Sequence, residues 1–154
     1  MGSAPNPTGA LPYYMKAANQ QNGDAMYAIA EMTERGIAVP RDPAKAEAMY
    51  VAAAAHCSGD ALFRLAHIRA TGSARMPKDA EQATALAMMS IECGIDPKRA
   101  EPLFESLRTS ITDGAKINRY YAQLRAAIYD YTGDSNFAPQ NPLPPDVSGR
   151  GSTI

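Results

Sequence analysis

The residues of this chain best suited to nucleophilic chemistry are two histidines, His56 and His67, and two cysteines, Cys57 and Cys93. A thiolate activated by an imidazole would need one cysteine within hydrogen-bond reach of one histidine. His56 and Cys57 are neighbours in sequence. Neighbours on a helix point about 100° apart, which places His56 poorly to activate Cys57. His67 lies on a different helical segment. The cysteines form neither a CxxC pair nor part of a zinc-binding set, and two are too few for a disulfide scaffold. P-loop, GxGxxG, HExxH and GxSxG motifs are absent, and acidic residues such as those of "EMTERG" and "ITDGAK" stand singly. The expectation is a chain with no catalytic residue, no metal ligand and no cofactor.

Composition narrows the remaining classes. The 154 residues fit one domain with a core of its own. The chain is 45% apolar and 20% charged, with a net charge of −1, so it offers no basic field to attract nucleic acid. No run reaches the length of a membrane span. A soluble chain is expected, cytoplasmic by its unpaired cysteines and its lack of a basic, apolar leader, periplasmic if a leader has been removed.

The elements that would position any site emerge from an internal repeat. Residues 13–36 laid over residues 49–72 match Tyr14 with Tyr50, Ala17 with Ala53, Ala18 with Ala54, Gly23 with Gly59, Asp24 with Asp60 and Gly36 with Gly72, all 36 residues apart. Beyond the loop, Asp42 matches Asp79 and Ala46 matches Ala83 at a spacing of 37. Small residues at fixed positions let paired helices approach closely while the larger ones fill the gap between pairs. Ala53 and Ala54 should therefore be buried, and Ala48 exposed. Helices are predicted over 12–21, 24–35, 43–57, 60–71 and 79–93, from Pro12 at a first turn and from N-cap aspartates. If Cys57 and Cys93 hold near-equivalent places in neighbouring repeats, helix axes 8–10 Å apart exceed the Cα separation of a disulfide. Both thiols are expected to be reduced.

The run "AIAEMTERGIAVPRDPAKAEAMYVAAAAHC" resembles the Sel-one-like repeat, with Ile29, Ala30, Gly36, Val39, Asp42, Lys45, Ala46, Tyr50, Ala53 and Ala54 at its characteristic residue types. The resemblance covers about residues 11–95. Cys57 stands where the pattern closes on glycine. The resemblance implies an all-α fold, a right-handed solenoid of stacked helix pairs related to tetratricopeptide repeats. It also implies a protein-interaction module, such as an adaptor, regulator or accessory subunit of a bacterial assembly, whose partner is another protein or a multi-subunit complex. The alternatives are a hydrolase-like or thiol-dependent enzyme and an immunity or effector-regulating protein.

The division of the chain follows. Residues 1–10 read as a lead, 11–131 as the solenoid with two capping helices, and 132–154 as a Pro-, Gly- and Ser-rich tail. In the last capping helix Ile117, Tyr120, Tyr121, Leu124 and Ile128 recur at helical spacing as one apolar stripe. If the first helix of each pair lines the concave face, Tyr27, Glu31 and Glu34 enter the groove from one repeat, with Phe63 and His67 from the next. The tail contributes Phe137 and Leu143 as further anchors for a partner.

Overall fold

The computed structural model describes residues 7–138. Seven helices follow one another: α1 (Pro7–Asn19), α2 (Gly23–Arg35), α3 (Pro43–Ala55), α4 (Gly59–Thr71), α5 (Ala80–Glu92), α6 (Pro97–Leu107) and α7 (Gly114–Thr132). A single 3-10 turn, Ser135–Phe137, comes after them, and there is no strand among the described residues.

Local chemistry sets these boundaries. Asn22, Asp42, Ser58, Asp79 and Asp113 each cap a helix, accepting with the side chain a backbone N–H three residues on. Each cap satisfies an amide that the first helical turn leaves unpaired, worth about 1 kcal/mol. The stops recur as well. Gln21, Cys57 and Gly94 follow α1, α3 and α5 at spacings of 36 and 37, and all have positive φ. The closing position of the repeat thus requires the left-handed conformation, which glycine adopts most readily and which Cys57 adopts in its place.

Helix α1 begins five residues before the predicted start. Pro12 suggested a first turn there, yet it lies inside the helix. The true first residue is Pro7, which stands 36 residues before Pro43, the first residue of α3. The repeat register outweighs the local proline signal, and α1 is a whole second helix of a pair.

Helix α2 packs chiefly on α3, and α4 on α5, giving the two expected pairs. Ala30, Ala46, Ala53, Ala61, Ala66 and Ala83 are fully buried and allow the close approach, while Tyr50, Leu62 and Met89 fill the space between helices. Full burial of a side chain such as Leu62 contributes about 1.5–3 kcal/mol. Ala54 is buried and Ala48 exposed, as the repeat requires. Within each pair the start of the first helix meets the end of the second: a Cβ placed on Gly59 would lie 2.8 Å from the Cys93 carbonyl oxygen, and one on Gly23 equally close to that of His56. Only glycine permits the start of α4 to press on the end of α5 at this distance.

Helices α6 and α7 close the stack. Ile117, Tyr121 and Ile128 are buried and Tyr120 and Leu124 half-buried, as the apolar stripe predicts. α7 lies against α5 and reaches α3. Glu81, 6% exposed, holds the turn before α7 by accepting the backbone N–H of Thr112 at 2.9 Å, the Thr112 hydroxyl at 3.0 Å and the backbone N–H of Asp113 at 3.3 Å. The Thr112 amide bond leads the effects that hold its carboxyl at about 2, far below the ordinary carboxylate range and against the opposing effect of burial.

Candidate functional site

A hollow of about 660 Å³ opens between α2 and α4, lined by Tyr27, Glu31, Glu34, Arg35, Arg41, Tyr50 and Arg64. Its floor is a bonded set drawn from three helices. The Tyr50 hydroxyl donates to Glu34 Oε2 at 2.7 Å, and Arg64 Nη2 donates to Glu34 Oε1. The Tyr27 and Tyr50 ring centroids are 5.6 Å apart, and the Arg64 guanidinium lies over the Tyr50 ring. Burial pushes Glu34 up, but the Arg64 and Tyr50 hydrogen bonds outweigh it and hold the carboxyl below its usual range. Burial, with the bond to Glu34, pushes the Tyr50 phenol well up. Glu34 is consequently anionic and Tyr50 neutral at physiological pH. At the rim the exposed Arg35 pairs with the half-buried Glu31 at 2.8 Å.

Of the residues singled out in the sequence, Tyr27, Glu31 and Glu34 come together here. Phe63 and His67 stand one layer on, where α4 meets α6. Their rings meet edge to face at 4.7 Å, and Arg99 of α6 lies over Phe63 while bonding Asp60 at 3.2 Å. His67 is exposed on one side, and the partial burial of its ring, followed by the nearby Arg64 charge, lowers its pKa. Arg64 and Tyr50 are the members that sequence reasoning missed. Tyr50 sits on a second helix and counts there as core, and Arg64 is separated from Glu34 by 30 residues.

Two expectations are overturned. Cys57 and Cys93 are joined in a disulfide, with their Cα atoms 5.4 Å apart, and no cysteine among the described residues is free. Helix-axis spacing does not govern them, because neither lies within a helix. Cys57 is in the α3–α4 turn and Cys93 caps the end of α5, at the junction that Gly59 draws tight. Both sulfurs are thus engaged with each other, which removes the nucleophile of a thiol-dependent enzyme.

The second correction concerns Phe137, expected as a free anchor in the tail. It is 7% exposed and packs against α7. Arg125 explains why: its guanidinium bonds Glu92 at 2.6 Å and the backbone carbonyl of Asn136, and lies over the Phe137 ring at 5.6 Å. Leu143 lies outside the described residues.

Among the described residues no group of three or more His, Cys, Asp or Glu side chains could hold a metal ion, and no helix is long and apolar enough to cross a membrane. No family model and no curated protein matches this chain. A solved structure does: the crystal structure of a Sel1 repeat protein from Oxalobacter formigenes aligns over 85% of this chain with a TM-score of 0.60 and 25% identity. The aligned region is 52% of that protein, so this chain spans about half its length. Sel1 repeat proteins generally mediate protein–protein interaction. An alignment of that extent, on a chain whose helix pairs recur every 36 or 37 residues with the Sel-one-like pattern written in them, makes this chain a Sel1-like repeat solenoid.

Proposed function

We propose that this chain is an adaptor or accessory subunit that holds a segment of a partner protein across the hollow between α2 and α4 and the adjoining Phe63–His67 shelf. The observation that carries this is the Tyr50–Glu34–Arg64 set. It fixes a floor beneath Tyr27, Glu31 and Arg35, so these side chains meet a partner with little ordering left to do. Aromatic rings and arginines are also the side chains that dominate protein interfaces. The Cys57–Cys93 bond supports an oxidising compartment, since such bonds are rare where thiols are kept reduced.

The test is site-specific photo-crosslinking in the native host, with the reactive group at position 27 and, as control, at exposed position 123. Crosslinks from 27 and none from 123 are expected. Tyr27→Ala with Glu31→Lys should abolish capture of the same partner in a chain whose fold circular dichroism confirms. Undiminished capture by that folded variant would move the partner to another face.

A further inference from the structure

A second opening lies on the flank of the solenoid, a groove of about 560 Å³ between α3 and α7. Val51 and Ala55 of α3 line one side and Leu124 and Ala127 of α7 the other, with buried Leu65 and Leu86 as the floor. Val51 is 48% exposed, and Tyr131 on the same rim is 63% exposed. At one end the His56 ring, which closes α3, meets the Tyr131 ring edge to face at 5.5 Å. At the other stands Arg69, whose carbonyl accepts the backbone N–H of Asp79 just before α5 begins. No carboxylate lines the groove. Among the described residues Arg69 forms no ion pair, and its guanidinium donates to the Pro77 carbonyl at 3.1 Å.

We propose that this groove is filled by residues 142–147 of the chain itself, "PLPPDV", with Leu143 among the apolar side chains and Asp146 beside Arg69. Position favours this occupant. Phe137 borders Cys57, the neighbour of His56 in sequence, so the chain reaches Ala138 beside the His56–Tyr131 end. Length agrees. From His56 to Ala48 the groove follows α3 for about 12 Å at the rise of a helix. A proline-rich segment advances about 3 Å per residue, so Leu143 comes about 16 Å beyond Ala138 and Asp146 about 25 Å beyond it, enough to cross the mouth and run the length of the groove. The chemistry fits as well. Helical walls have no free backbone groups to pair with an occupant, and Pro142, Pro144 and Pro145 bring no N–H of their own. An aromatic rim suits proline rings, and Asp146 supplies the carboxylate that Arg69 lacks. Covalent attachment gives the segment an effective concentration on the order of millimolar, an advantage over the same sequence on a separate molecule. The groove shares no residue with the α2–α4 hollow, so the two readings stand or fall independently.

The test is methyl NMR on the full chain. Nuclear Overhauser contacts from the Leu143 methyls to those of Val51 and Leu124 are expected. Leu143→Asp should abolish them and shift the Val51 and Ala127 methyl signals while leaving the helical circular dichroism unchanged. With wild type and Leu143→Asp as the two limits, the Val51 shift measures the ratio of docked to free segment. Asp146→Lys should lower that ratio about two- to fivefold, as loss of a partly exposed ion pair implies, and Asp146→Glu should keep it. Absence of the contacts, or Val51 and Ala127 signals identical in wild type and Leu143→Asp, would overturn the proposal and leave the groove to a separate partner. Equal docking by Asp146→Lys would overturn the pairing with Arg69. Contacts found only between differently labelled molecules in a mixed sample would overturn it in favour of a second copy.

Discussion

Removing the Cys57–Cys93 bond is the perturbation that most directly probes how the repeats are held together. The bond closes a loop with a sequence separation of 36. Restricting an unfolded chain over that distance costs it conformational entropy worth about 4 kcal/mol at room temperature. In a solenoid each repeat is supported only by its neighbours, so the loss falls on the junction that the bond spans. For a domain of this size the melting temperature should drop by roughly 10–15 °C, both on reduction by a phosphine and in the Cys57→Ala/Cys93→Ala variant. Circular dichroism measures the melt, and the variant supplies the control, since reductant should leave it unchanged. Superimposable melts of the oxidised and reduced protein would refute the reasoning. Alkylation of two thiols in unreduced, denatured protein would show that the bond does not form at all.

Two further predictions concern the packing between helices. Ala53→Leu, at a site with no exposure, should destabilise by about 1–3 kcal/mol in urea unfolding, whereas Leu at Ala54, which borders an open groove beside α7, should cost less and Leu at exposed Ala48 almost nothing. Glu81→Gln should cost up to about 3 kcal/mol at pH 7, from a carboxyl held at about 2 against an unfolded value of 4.5. A depressed pKa contributes stability above the unfolded value and loses it as pH falls, so the gap between wild type and Glu81→Gln should narrow from pH 5 to pH 3; a constant gap would show that the carboxylate does not hold the turn.

The pairing of helices was legible because its signals are local and periodic. Caps at Asp42 and Asp79, alanines at fixed places and glycines at the stops each act within a few residues, and recurrence at 36 or 37 residues confirms them against one another. Pro12 shows the limit of a single local signal, for the register set by Pro7 and Pro43 overrode it. The disulfide was hidden for a different reason. Axis spacing describes helix bodies, and the cysteines stand beyond the helix ends, where Gly59 was the visible mark of close approach. Half of the hollow was legible too. Tyr27, Glu31 and Glu34 follow from helical spacing, but the bond from Glu34 to Arg64 depends on the angle between pairs, which no residue type encodes. Phe137 was misplaced because a short turn after α7 looks like the start of a tail unless Arg125, apparently one more surface cation, is matched with Glu92 33 residues earlier.

These ties converge on α4. Its first turn follows directly from Cys57, which is bonded to the end of α5, and Gly59 keeps that turn pressed there. Midway along, Arg64 reaches back to Glu34 of α2, and Glu34 in turn accepts the hydroxyl of Tyr50 in α3. One helix is thereby fixed covalently to the pair it belongs to and ionically to the pair before it, and the hollow lies between α2 and α4. A binding surface shared by two repeats loses affinity when the repeats rock against each other, because docking must then stop the motion. The Arg64–Glu34 bond opposes that motion at the junction the proposed ligand would cross, and the disulfide holds α4 to its own pair. Helix α2, the counterpart of α4, has no equivalent ties: the residue 36 before Arg64 is Ala28, and the place of Cys57 is taken by Gln21. The tie between the two pairs therefore lies where the proposed groove spans two repeats.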